Sequence, residues 1–179
     1  MSKKILILGI TVLLLGGLIF WFFQESSKPL PGIKQADMGR KHVTSLASSS
    51  ADLATSGDHY GEWTRAGVYE IPLDDGNLIH SMEHGYVIIS YQCGVQSEES
   101  REATESAEIA QCDELKNQLA KIYEKKGKRK LIIVPRPQMN TKITLYAWNY
   151  LFKLDQFDEE KIAQFIDAHR DQGPERTNE

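Results

Sequence analysis

Cysteine is scarce in this chain, with two in 179 residues, and no C-x-x-C occurs, which removes the usual mark of a thioredoxin-type redox site. Basic charge is short too. The formal net charge is -4, and no basic cluster exceeds "KKGKRK" at residues 125–130, where a nucleic-acid binder would show a basic face or stripe. Nucleic acid is therefore excluded as a partner, and the cluster reads as a solvated helix end whose lysines complement the helix dipole. There is no internal repeat. Long apolar runs are absent except for one at the start.

That run is "ILILGITVLLLGGLIFWFF", residues 5–23, 19 residues without a charge, which is about the length a helix needs to cross the hydrocarbon core. A cleaved signal peptide would have a shorter apolar core and a small-residue cleavage site, and neither is present. Phe20, Trp21, Phe22 and Phe23 read as an interfacial belt, and no cysteine follows to carry a lipid. Lys3 and Lys4 precede the run, so the positive-inside tendency keeps the N-terminus cytoplasmic and sends the rest outside. The expectation is a single-pass signal anchor over residues 1–25, with the membrane as its partner and the domain on the extracytoplasmic side of the cell membrane. Without residues 1–25 the chain holds 19 basic and 24 acidic residues, a mildly acidic domain.

Cys93 and Cys112 suit an oxidising compartment, where an even number suggests a bridge. A disulfide closing a loop of that size stabilises by about 3 kcal/mol in the chain-entropy model. The polar stretch "SEESREATESAE" between them reads as a solvated insertion that the bridge staples. Cys112 at a helix start could instead be a redox thiol, but the long spacing from Cys93 favours structure.

Residues 26–55 read as a linker and irregular segment, opening with the proline-bearing "QESSKPLPG" and rich in small polar residues later. Residues 56–175 read as the folded domain and 176–179 as a tail. "GVYEIP" fits a short edge strand and "LDDGN" a turn. "YVIISY", "KLIIVP" and "KITLYAW" fit strands covered on both faces. "CDELKNQLAKIYEKKG" has Leu115, Leu119, Ile122 and Tyr123 on one helical face, with Asp113 as N-cap and Gly127 as stop. "DEEKIAQFIDAH" closes the order with Ile162, Phe165, Ile166 and His169 on one side. The fold class is α+β: a small sheet with a strand-helix-strand-strand-helix core, preceded by the transmembrane helix and an irregular loop segment.

The stretch "HSMEHGY", residues 80–86, concentrates the chemistry. In a helical turn, capped by Asn77 and ended by Gly85, His80, Glu83 and His84 share one face, and two such imidazoles can chelate zinc or copper. In a strand the face would hold His80, Met82 and His84, a set that favours copper. The helical turn fits better, because the strand begins only after Gly85. The letters also match the H-x-x-E-H of inverted zinc peptidases, with Glu83 as general base. Those enzymes carry it on a longer helix in a much larger fold.

Beyond this stretch, "GRKHV" (39–43), "TSGDHYGEW" (55–63), "AGVYEIP" (66–72), "NLIHSMEHGYVIISY" (77–91), "LIIVPRP" (131–137) and "ITLYAWNYLFKLDQFDEEKIAQFIDAHRDQGPE" (143–175) together resemble a bacterial membrane-anchored family catalogued as domain of unknown function 3105. The resemblance implies no activity. It does place His42, His59, His80, Glu83, His84 and Gly85 within family motifs, so that four histidines from three segments converge on one candidate site. The chain departs from the pattern at Leu53 and Ala54, where a Pro-Pro pair is usual, at Asp58 in place of a proline, and at Met82 in place of a leucine. The cysteine pair is particular to this chain, which argues against a shared redox reaction.

The expected site is thus a transition-metal centre, copper or zinc, built from His80, His84, His59 and His42, with Glu83 and Met82 behind them and no catalytic residue assigned. Its role would be binding, trafficking or sensing of the ion. A metal-free scaffold whose histidines tie loop to core is the first alternative, and a metal-dependent hydrolase with Glu83 as base the second. His169 is expected to pack or face a helix end, and Tyr60, Trp63, Tyr146 and Trp148 to fill core rather than line a ligand pocket.

Overall fold

A computed structural model of the chain describes residues 3–26, 29–46, 53–93, 104–175 and 177, without the side chains of residues 4, 6, 22–26 and 104–108. The chain divides into two compact units, Met1–Leu30 and Pro31–Glu179. The first holds α1, Lys3–Ser26, whose described large apolar side chains, from Ile5 to Trp21, are exposed. Among the described residues no helix is long and apolar enough to cross a membrane. The expected spanning segment therefore rests on the sequence.

The second unit is α+β, with a mixed sheet of six strands. In chain order it runs β1 (Ile33–Lys34), β2 (Gly67–Val68), α2 (Asp75–Glu83), β3 (Val87–Tyr91), α3 (Thr104–Lys125), β4 (Leu131–Pro135), β5 (Ile143–Ala147), β6 (Tyr150–Leu154) and α4 (Glu159–His169). The strand order is β1-β6-β5-β3-β4-β2. β3 pairs in parallel with β4 and antiparallel with β5, so it sits centrally, which explains its run of β-branched residues covered on both faces.

Alternation along the strands sorts the core into two clusters. Val87, Ile89, Tyr91, Leu131 and Ile133 point to the side covered by Leu115, Leu119 and Ile122 of α3 and Ile162, Phe165 and Ile166 of α4. Ile88, Ile132, Val134 and Tyr146 point to the other side, where Leu78, Ile79 and Met82 of α2 meet them. α2 thus packs on the face opposite α3 and α4, and the loops before it fold over it.

Several local expectations are corrected. The structure adds β6, because Trp148 and Asn149 make a two-residue turn that returns the chain antiparallel on β5; Asn149 takes the left-handed φ of 61° that asparagine tolerates. "LDDGN" opens α2 rather than forming a free turn. Asp74, not Asn77, caps that helix, its carboxylate accepting from the Gly76 amide at 2.8 Å, while Asn77 donates instead to the Glu62 carbonyl.

α3 starts well before Asp113, which lies inside it, and Cys112 is mid-helix rather than at a helix start. Part of the acidic stretch between the cysteines is thus helical, and the rest lies outside the described residues. The Cys93–Cys112 disulfide is formed, with a Cα–Cα distance of 5.6 Å. α3 ends as expected: Gly127, at φ 77°, donates to the Glu124 carbonyl and Lys128 to that of Tyr123. The basic cluster after it is not wholly solvated, because Lys130 is buried and its ammonium donates to the His84 and Thr177 carbonyl oxygens.

Candidate metal centre

α2 is short, and its capping decides where its side chains point. Asp74 caps the start and Asp75 pairs with Arg136, which fixes the helix against β4. The apolar stripe Leu78, Ile79 and Met82 then faces the sheet, so His80, Glu83 and His84 must turn away from it toward the N-terminal loops. Gly85 ends the helix at φ 84°, and a Cβ there would come within 2.8 Å of the Asp171 Cα. Met82 is fully buried among apolar neighbours and takes no place beside the histidines.

His42 and His59 arrive from the loops. A single parallel bridge pairs them, with Val43 donating to the His59 carbonyl and His59 to the Lys41 carbonyl. The hairpin turn of β5 and β6 anchors this segment: Gln35 donates to the Asn149 carbonyl, and Asn149 donates to that of Thr55. Ring centroids of His42, His59 and His80 lie 4.8 to 5.0 Å apart in each pairing.

Donor atoms of His42, His59, His80 and Glu83 all lie within 4.8 Å of one another, a group that could hold a metal ion. Ligands of a tetrahedral zinc sit about 2 Å from the metal and so about 3.4 Å apart; here Glu83 Oε2 lies 3.0 Å from His59 Nε2 and 3.8 Å from His42 Nε2. Its interior is buried: His59 is fully buried and the Glu83 side chain 5% exposed, while the His42 side chain is 55% exposed.

Hydrogen bonding orients the rings. His59 Nδ1 lies 2.8 Å from the Gly57 carbonyl oxygen and His80 Nδ1 2.7 Å from that of Tyr60. A carbonyl only accepts, so each Nδ1 carries a proton, and in the neutral ring Nε2 offers the lone pair, the tautomer and support that ligating histidines use. Burial pushes the His80 imidazole below its ordinary pKa, against the pull of the Tyr60 carbonyl, and the neighbouring His84, His59 and His42 lower it further. A neutral ring at physiological pH follows.

His59 Nε2 and Glu83 Oε2 lie 3.0 Å apart. Although that is hydrogen-bonding distance, the directions are wrong, and both atoms are buried without a hydrogen-bond partner. A neutral His59 with its proton on Nδ1 presents Nε2 to the carboxylate as an acceptor.

His84 lies apart from this group. It joins His80 and Glu175 in a second set whose donor atoms are also within 4.8 Å of one another. Trp63 leans over both, its ring centroid 4.9 Å from that of His84 and 5.7 Å from that of His80. Tyr60 contributes its carbonyl rather than its ring. Tyr146 is fully buried, its hydroxyl 2.7 Å from Ser90 Oγ and its pKa pushed up to about 12, chiefly by burial, and Trp148 packs beside it in the core. His169 is buried against the rings of Tyr150 and Phe165 and donates Nε2–H to the Pro31 carbonyl oxygen at 2.8 Å.

Sequence reasoning missed Glu175, which shares no helix or spacing with the histidines. It also placed Glu83 behind the ligands rather than among the donors. An open cleft of about 460 Å³, lined by Asp37, Gly39, Arg40, Trp148 and Pro174, adjoins the group through Arg40, whose guanidinium lies 3.9 Å from Glu83.

A family described as "Protein of unknown function (DUF3105)" matches residues 42–179. No curated protein and no solved structure matches.

Proposed function

Since the chain belongs to this DUF3105 family, whose description carries no activity, we propose a function from the site itself: a membrane-anchored extracytoplasmic domain that binds a transition-metal ion, copper or zinc, through His42, His59, His80 and Glu83. Capture or sensing of the ion at the membrane surface is the role. The observation that carries this reading is the pair His59 Nε2 and Glu83 Oε2, buried, 3.0 Å apart and unpartnered. Leaving a buried polar atom unsatisfied costs about 1–3 kcal/mol, and a cation beside both atoms would relieve the two together.

The donor set bears on the metal. Three imidazoles and a carboxylate suit Zn(II) or Cu(II), and the absence of the Met82 thioether from the group removes the ligand that would favour Cu(I). A scaffold whose histidines merely tie loop to core would be expected to pair these atoms with one another. A hydrolase would need Glu83 beyond the metal and free to act as a base; its place among the donors favours ligation.

The membrane anchor is proposed on the uncharged run of residues 5–23 after Lys3 and Lys4. The Cys93–Cys112 disulfide supports an oxidising, extracytoplasmic location for the domain.

The test is elemental mass spectrometry of the full chain, purified in detergent micelles, before and after incubation with Zn(II), Cu(II) and Cu(I), beside Glu83→Gln. The parent should retain about one equivalent. The variant should stay folded and lose more affinity than the roughly 10- to 100-fold that removal of an outer partner costs. A parent that takes up no metal would end the proposal.

A further inference from the structure

The second set of donors overlaps the first in one residue. His80 Nε2 faces His84 Nε2 at 3.1 Å, and Glu175 Oε2 lies 3.6 Å from the same His84 atom. His80 Nδ1 is taken by the Tyr60 carbonyl, so Nε2 has a single lone pair to offer the two groups. One lone pair serves one cation. The two groups cannot be filled at once.

Glu175 is placed there by backbone rather than by chance. Asp171 donates its amide to the Gly85 carbonyl and Glu175 its own to that of Glu83. Between them Gly173 lies so close to α2 that a Cβ would come within 2.2 Å of the Glu83 carbonyl oxygen. The buried Lys130 ammonium ties the His84 and Thr177 carbonyls together. The chain from Asp171 to Glu175 is thus a strap fixed across the turn that carries the histidines.

Each group has one member open to solvent, and they differ. In the first it is His42; in the second it is Glu175, whose side chain is 52% exposed, while His80 and His84 are buried.

We propose that the two groups are alternate stations for one divalent cation, with His80 as the ligand common to both, so that an ion held by His42, His59 and Glu83 passes to His84 and Glu175 without leaving the protein. This rests on the metal reading above and adds an exit to it. The step is ligand exchange with no change of oxidation state. The bonds to His42, His59 and Glu83 break as those to His84 Nε2 and Glu175 form, and the bond to His80 Nε2 persists. His84 must coordinate as the tautomer protonated on Nδ1, an atom that is buried and unpartnered among the described residues; since Nε2 donates its proton to His80 in the ion-free contact, the exchange takes one proton from Nε2 and returns one to Nδ1.

The experiment uses Co(II), whose visible bands report its ligands, on the full chain in micelles. The parent should bind one equivalent. Glu175→Gln, a conservative change at an exposed side chain, should bind one equivalent with the same bands, yet release it to excess EDTA at least about tenfold more slowly. His42→Ala should keep one equivalent with altered bands, because the ion settles at the second station. Two equivalents on the parent, an unchanged release rate in Glu175→Gln, or complete loss of binding in a folded His42→Ala would each overturn the relay while leaving a single metal site standing. A parent that binds no Co(II) would overturn the metal reading along with it.

Discussion

Gly173 and the Glu83 carbonyl are in such close contact that no side chain fits between them: a Cβ on Gly173 would lie 2.2 Å from that oxygen and 2.3 Å from the Gly85 amide nitrogen. Both neighbours are backbone and cannot step aside. Gly173→Ala should therefore lift the strap off α2 and cost about 1–3 kcal/mol, the range of over-packing in a tight interior. Thermal denaturation reads the loss, and an unchanged midpoint would show that the strap yields freely. The same variant should weaken metal retention, since Glu83 is displaced with its carbonyl.

Trp63 supplies an optical report on the cluster, its ring lying 4.9 Å from His84 and 5.7 Å from His80. Cu(II) bound at either station should quench its fluorescence. Trp63→Phe should remove most of the copper-dependent quench while Trp21 and Trp148 continue to emit. A quench of equal depth in the variant would place the copper elsewhere.

His169 predicts a pH dependence of stability. Burial holds its imidazole below the ordinary value of 6.5, partly offset by the hydrogen bond to Pro31. The unfolded chain thus binds this proton more readily than the folded one. The stability the neutral ring contributes is complete above about pH 6.5 and is lost as pH falls through the lowered folded value. Urea unfolding midpoints measured from pH 7.5 to 5 should fall with a slope from this group of at most about 1.4 kcal/mol per pH unit. In His169→Gln, which can still donate to the Pro31 carbonyl, that part of the slope should vanish. An identical slope would assign it to other groups.

The sequence made the central strands and the two large helices legible, because Val87–Tyr91 and Leu131–Pro135 carry continuous apolar runs and α4 repeats its apolar residues at helical spacing. β6 escaped because Tyr150–Leu154 is only half covered and contains Lys153, so neither alternation nor a full apolar run marks it. The two-residue β1 is too short to have any period, whereas β2, at the sheet edge, falls within "GVYEIP", where an edge strand was expected. The cap of α2 was misread because Asp74, Asp75 and Asn77 can all cap, and the choice fell to tertiary contacts of Asp75 and Asn77.

At the site, the i, i+4 spacing of His80 and His84 predicted their shared face, and the helix honours it. Spacing does not say which loop residues that face will meet. His42 and His59 reach it through a bridge that no local pattern encodes, and Glu175 through backbone bonds from the far end of the chain. Lys130 was read as solvated because lysine seldom lies buried; the free carbonyl at the end of α2 is what makes its burial tolerable.

The turn at Trp148 and Asn149 has a consequence for the order of assembly. Asn149 holds Gln35 on one side and Thr55 on the other, so the loop histidines acquire their places only after a hairpin encoded some ninety residues later has closed. Contacts of such long sequence separation form late, because loop closure is unfavourable until the elements it joins are in place. Before that closure only the locally encoded turn with His80, Glu83 and His84 holds its spacing. His42 and His59 join the donors of α2 only once that hairpin has closed.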